Sequence, residues 1–98
     1  MQSKRKLSVW ATLRKRDKVV ADKNYQCSMA DILDDTLEDA CKVFDISKPI
    51  ILYKHEDDLQ KFSRVVFRKA DFMDTFGYDS LELEIVRDKK KEDNILYL

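Results

Sequence analysis

The stretch Ser28–Ile46, SMADILDDTLEDACKVFDI, constrains the fold of this chain more than any other. At 100° per residue, Ile32, Leu33, Thr36, Leu37, Ala40, Cys41, Val43 and Phe44 fall on one half of a helical wheel. Asp31, Asp34, Asp35, Glu38, Asp39, Lys42 and Asp45 fall on the other. That division is the mark of a surface helix with one buried face. Ser28 suits the N-cap, and Asp31 three residues later completes a weak capping box. The acids of the first turn complement the positive end of the helix dipole. Pro49 forbids continuation, so the spacing predicts a helix over about Ala30–Asp45.

The flanking segments read as strands. Leu7, Val9, Ala11 and Leu13 alternate with Ser8, Trp10 and Thr12, as in a half-buried strand. Arg14-Lys15-Arg16-Asp17 reads as a charged turn, with no glycine to fix its type. Val19, Ala21, Tyr25 and Cys27 then resume the alternation. Lys23 breaks the phase, which places a bulge in Asp22-Lys23-Asn24. After the helix, Pro49-Ile50-Ile51-Leu52-Tyr53 reads as a strand buried on both faces. One helical turn is expected around Asp57–Phe62 and a short strand at Arg64–Arg68. The aromatic-rich connection Asp71–Asp79 holds the only glycine, Gly77. Leu81, Leu83 and Ile85 alternate with Glu82 and Glu84 in a final strand. The reading is a basic arm over residues 1–6, one α+β domain over 7–86, and a charged, flexible tail over 87–98 ending in apolar Ile95–Leu98.

A chain of 98 residues can bury one modest core. The charged fraction is high, 39%, yet the formal net charge is zero, which fits a small core under a charged surface and not a disordered chain. The charges are not evenly spread. Residues 1–26 carry eight basic groups against Asp17 and Asp22, and residues 31–45 carry six acids against Lys42. Such a gradient can steer a partner or be satisfied within the molecule. Cys27 and Cys41 read as two small buried hydrophobes. With one histidine, His55, they do not make a four-ligand zinc site. No apolar run approaches membrane-spanning length, and the N-terminus lacks a signal-peptide core, so the expectation is a soluble, cytoplasmic protein.

The order of hairpin, helix, strand, irregular stretch with a minor strand, and final strand resembles the ubiquitin-like β-grasp fold over about Leu7–Val86. The resemblance implies a mixed four- to five-stranded sheet crossed by one amphipathic helix, β-β-α-β-β-β, with the first and last strands parallel at its centre. The chain ends in Leu-Tyr-Leu, without the Gly-Gly that ubiquitin uses for conjugation. The acidic helix, Pro49-Ile50, Phe62, Phe67, Asp71-Phe72 and the ending Leu81-Glu82-Leu83-Glu84-Ile85 also resemble short bacterial open reading frames of unknown function, a likeness that implies no activity.

No set of residues demands a particular chemistry. The acids of the helix fan across a wide arc and lack the spacing of an EF-hand loop. His55 stands beside Glu56 and Asp57, but adjacent loop side chains seldom form a base and its orienter, and no nucleophile accompanies them. The expectation is therefore no enzyme, no cofactor and no metal. Seven rings, Trp10, Tyr25, Phe62, Phe67, Phe72, Phe76 and Tyr78, are core candidates, although so many large rings strain a small core and leave some for an interface. The candidate interaction residues are Trp10, on the polar face of the first strand, and Arg14, Lys15, Arg16 and Lys18 of the hairpin. They point to a protein-interaction or assembly module, binding a protein partner or a second copy, with the Ile95–Leu98 tail as a competing cover for Trp10. The alternative is a nucleic-acid-binding accessory protein using the basic hairpin.

Overall fold

The computed structural model describes residues 7–86; the expected basic arm and tail lie outside them. The fold is α+β: four strands form one sheet, in the order β2-β1-β4-β3, with two helices. β1 (Leu7–Lys15) and β2 (Lys18–Cys27) are the expected hairpin. Its two-residue turn puts both Arg16 and Asp17 at positive φ, 55° and 65°, as in a type I′ turn. Without glycine, that backbone is held from outside. The Arg16 N–H donates to Asp79 Oδ2 at 2.6 Å, and the Asp79 N–H donates to the Arg14 carbonyl.

The bulge lies elsewhere than expected. Leu13 pairs with Ala21 and Arg14 with Val19, so Val20 is the extra residue. Lys23 keeps the inward phase opposite Ala11. Its long stem lets the ammonium leave the apolar face and reach Asp39 at 3.5 Å. The bulge instead throws Val19 to the outer side and leaves both valines exposed.

The acidic amphipathic segment forms in three pieces: a 3₁₀ turn at Met29–Asp31, a π turn at Ile32–Thr36, and the helix α1 (Leu37–Phe44). Ser28 Oγ bonds the Asp31 carboxylate at 3.0 Å rather than capping a backbone N–H. Ile32, Leu37, Ala40, Cys41 and Phe44 are buried, as the wheel predicts. The π turn breaks the 3.6-residue phase, so Leu33 is half-buried, and Val43 is exposed. Asp45 ends α1 in the left-handed conformation, φ 58°.

The next stretch corrects the sequence reading. Residues 49–52 form no strand, and Tyr53–Phe62 is a ten-residue helix, α2, where one turn was expected. Leu52 is not an N-cap residue type, which hid the start of α2. The acceptor comes from within: the Leu52 N–H donates to His55 Nδ1 at 2.9 Å. Ser63, at φ 59°, then reverses the chain into β3 (Arg64–Arg68). β4 (Ser80–Val86) closes the sheet between β1 and β3.

The sheet topology also departs from the expectation. β1 and β4 are central neighbours, as in the β-grasp expectation, but they run antiparallel, and the whole sheet is antiparallel.

The core sits on one sheet face, where Val9, Ala11, Leu13, Val65, Phe67, Leu81 and Leu83 meet Ile32, Leu37, Phe44, Leu59, Phe72 and Phe76. Phe72 and Phe76 stack at 3.9 Å. Phe62, a core candidate in the sequence, is 68% exposed.

Candidate functional site

Alternation along the sheet assigns a second, outer face. Register places Ser8, Trp10, Thr12 and Arg14 of β1 in rows with Glu82, Glu84 and Val86 of β4, Arg64, Val66 and Arg68 of β3, and Asp22, Asn24 and Gln26 of β2. Trp10 is on this face, as expected, and half-buried. Its indole Nε1–H donates to Asp22 Oδ2 at 2.7 Å, which fixes the ring. Next to it the Glu82 carboxylate lies between two guanidiniums, with Arg14 Nε 3.0 Å from Oε1 and Arg64 Nε against Oε2. Glu82 and Thr12 are buried although they face outward. The face thus carries three acids, Asp22, Glu82 and Glu84, against three arginines, Arg14, Arg64 and Arg68.

The five candidate interaction residues do not form one patch. Arg14 is held by Glu82 on the outer face. Lys15 stands over the Tyr78 ring at 5.8 Å. Arg16 and Lys18 are exposed at the hairpin tip and line a shallow surface pocket with Lys15 and Val20. The charge gradient is partly met within the molecule, where Lys23 and the Tyr25 hydroxyl both reach Asp39 Oδ2, the latter at 2.7 Å. The hydrogen bond from Tyr25 holds the Asp39 carboxyl below its usual range. Burial, followed by that same carboxylate, pushes the Tyr25 phenol up.

A second arrangement was not legible in the sequence. His55 is almost fully buried against Phe67, with ring centroids 4.4 Å apart. Its Nδ1 accepts the Leu52 N–H, so in the neutral ring the proton sits on Nε2. Nε2 lies 3.3 Å from Asp71 Oδ2, without the alignment of a hydrogen bond. Asp71 in turn accepts the Arg68 N–H at 2.9 Å. The histidine therefore meets Asp71, far along the chain, and not the adjacent Glu56 or Asp57. His55 and Asp71 line a groove of about 440 Å³ with Lys54, Asp58 and Phe62 of α2 and Arg64, Val66 and Arg68 of β3. No signal short of the tertiary pairing could have joined these residues.

Cys27 and Cys41 are free and buried, as expected. Burial pushes the Cys41 thiol up to about 11. Among the described residues, no group of three or more His, Cys, Asp or Glu side chains could hold a metal ion, and no helix is long and apolar enough to cross a membrane. No protein-family model, no curated protein and no solved structure matches the chain.

Proposed function

We propose that this protein is a non-enzymatic interaction or assembly module, and that the outer sheet face around Trp10 is its docking surface. The observation that carries the reading is the fixed indole. Trp10 is held by Asp22, beside arginines held by Glu82. Tryptophan and arginine are the residue types that dominate interface energetics. Side chains already ordered spare association an entropic cost of about 0.5–1.5 kcal/mol each. The balance of three acids and three arginines favours a second copy or a partner of mixed charge over a polyanion. A reducing, cytoplasmic setting belongs to the same proposal, supported by two cysteines left free.

Sedimentation of the Trp10→Ser variant, and separately of a chain lacking residues 88–98, tests it. Loss of self-association in Trp10→Ser, with stability changed by less than about 1 kcal/mol, supports the docking face. Unfolding of that variant would place Trp10 among the structural residues. An unchanged solution mass for both, together with unchanged capture of any partner, removes the support. The alternative, nucleic-acid binding through Lys15, Arg16 and Lys18, has the exposed hairpin tip in its favour. It predicts retention on nucleic acid that falls steeply with salt and is lost when these three are neutralised.

A further inference from the structure

The groove between α2 and β3 borders the proposed docking face, with which it shares Arg64, Val66 and Arg68, and has its own polarity. α2 and β3 are joined by Ser63 alone, so they run in opposite directions. Lys54, Asp58 and Phe62 recur every four residues, about 6 Å apart along the helix. Arg64, Val66 and Arg68 alternate along the strand, about 6.6 Å apart. All six line one groove, and the reversal places Lys54, early in the helix, and Arg68, late in the strand, toward the same end.

One end is therefore cationic. Among the described residues, neither Lys54 nor Arg68 enters an ion pair. The floor holds His55 and Asp71. Asp71 is engaged by the Arg68 N–H, while His55 Nε2, buried and 3.3 Å from the Asp71 carboxylate, lacks the alignment for a hydrogen bond to it and has no other acceptor. A buried donor without a partner is uncommon in a folded protein and marks a place for an acceptor. The other end is aromatic: Phe62 leaves its ring to solvent, while the Arg64 guanidinium is engaged by Glu82. Between them Asp58 supplies a carboxylate acceptor and Val66 an apolar wall.

We propose that this groove binds a nucleoside monophosphate. The phosphate lies between Lys54 and Arg68 and accepts a hydrogen bond from the His55 Nε2–H. The base stacks on Phe62, as bases do on exposed aromatic rings. Asp58, which would repel the phosphate, stands beside the sugar and accepts from its hydroxyls. The volume of about 440 Å³ falls within the ordinary range of small-molecule sites.

Titration of the ¹⁵N-labelled protein with adenosine 5′-monophosphate, adenosine and inorganic phosphate, followed by NMR, tests the site. The monophosphate is expected to give saturable shifts at Lys54, Phe62 and Arg68 with a Kd of about 1 mM or tighter, and the two fragments to bind about tenfold more weakly. The double variant Lys54→Gln/Arg68→Gln, at exposed positions, should weaken both the monophosphate and inorganic phosphate by about tenfold. Phe62→Ser should reduce the monophosphate to the level of inorganic phosphate and leave inorganic phosphate unchanged. Absence of saturable shifts in the groove, adenosine binding as well as its phosphate, or indifference to the double variant each overturns the proposal. A single-stranded tetranucleotide that fills the groove more tightly than the monophosphate overturns the assignment to a free nucleotide.

Discussion

Replacing His55 by phenylalanine removes one acceptor and keeps one ring. The ring still packs at a tilt against Phe67, so the aromatic contribution of that pair changes little. The Leu52 N–H loses its 2.9 Å partner at the start of α2, and loss of an N-terminal cap costs about 0.5–2 kcal/mol. The buried Asp71 carboxylate loses the Nε2 edge at 3.3 Å and meets an apolar ring edge instead. It keeps the Arg68 N–H, so that loss sits near the low end of the desolvation range, about 1 kcal/mol. The expected total is about 1.5–3 kcal/mol, or a fall in Tm of about 6–24 °C for a domain of this size. Urea unfolding measures the total, and amide exchange at Leu52 isolates the cap. His55→Asn, whose side-chain oxygen can occupy the Nδ1 position, should restore protection of the Leu52 amide. The assignment fails if His55→Phe costs less than about 0.5 kcal/mol, the range of an ordinary surface change, or if Leu52 exchanges at the same rate in all three proteins.

Leu37 is fully buried beneath α1, so Leu37→Ala should cost about 2–4 kcal/mol in denaturant unfolding, with an unchanged slope against denaturant. With its thiol pushed up to about 11, Cys41 should resist alkylation at neutral pH in the native protein and react once the chain is unfolded. Because the folded value is raised, the stability linked to Cys41 is full below its ordinary value of 9.0 and is lost as pH rises toward about 11; Cys41→Ala should flatten the alkaline limb of a stability–pH profile.

The elements that were legible in the sequence are those whose signal is a local period. Residues 7–13 alternate, and Val9, Ala11 and Leu13 do face the core while Trp10 does not. The strands at Arg64–Arg68 and around Leu81–Ile85, and the amphipathic stretch before Pro49, follow from the same kind of pattern. Side-chain periodicity reports which face is buried, whatever the rest of the chain does. The run Pro49–Tyr53 shows where that information ends. It is apolar because Pro49 is buried and Ile51 half-buried, not because it is a strand, and Ile50, Leu52 and Tyr53 are exposed. α2 was hidden because its N-terminal acceptor is a histidine inside the helix, held in place by Phe67 and Asp71 from later in the chain.

Tertiary structure alone decided the sense of the sheet, since strand direction depends on how many elements traverse the domain and not on any one segment's pattern. It also decided which charges meet. Arg14 and Arg64 are fifty residues apart in sequence, yet both reach Glu82. Lys54 and Arg68 face one groove only because Ser63 reverses the chain between them. A period can be read along a chain, but a constellation of side chains exists only after distant segments have been brought into register.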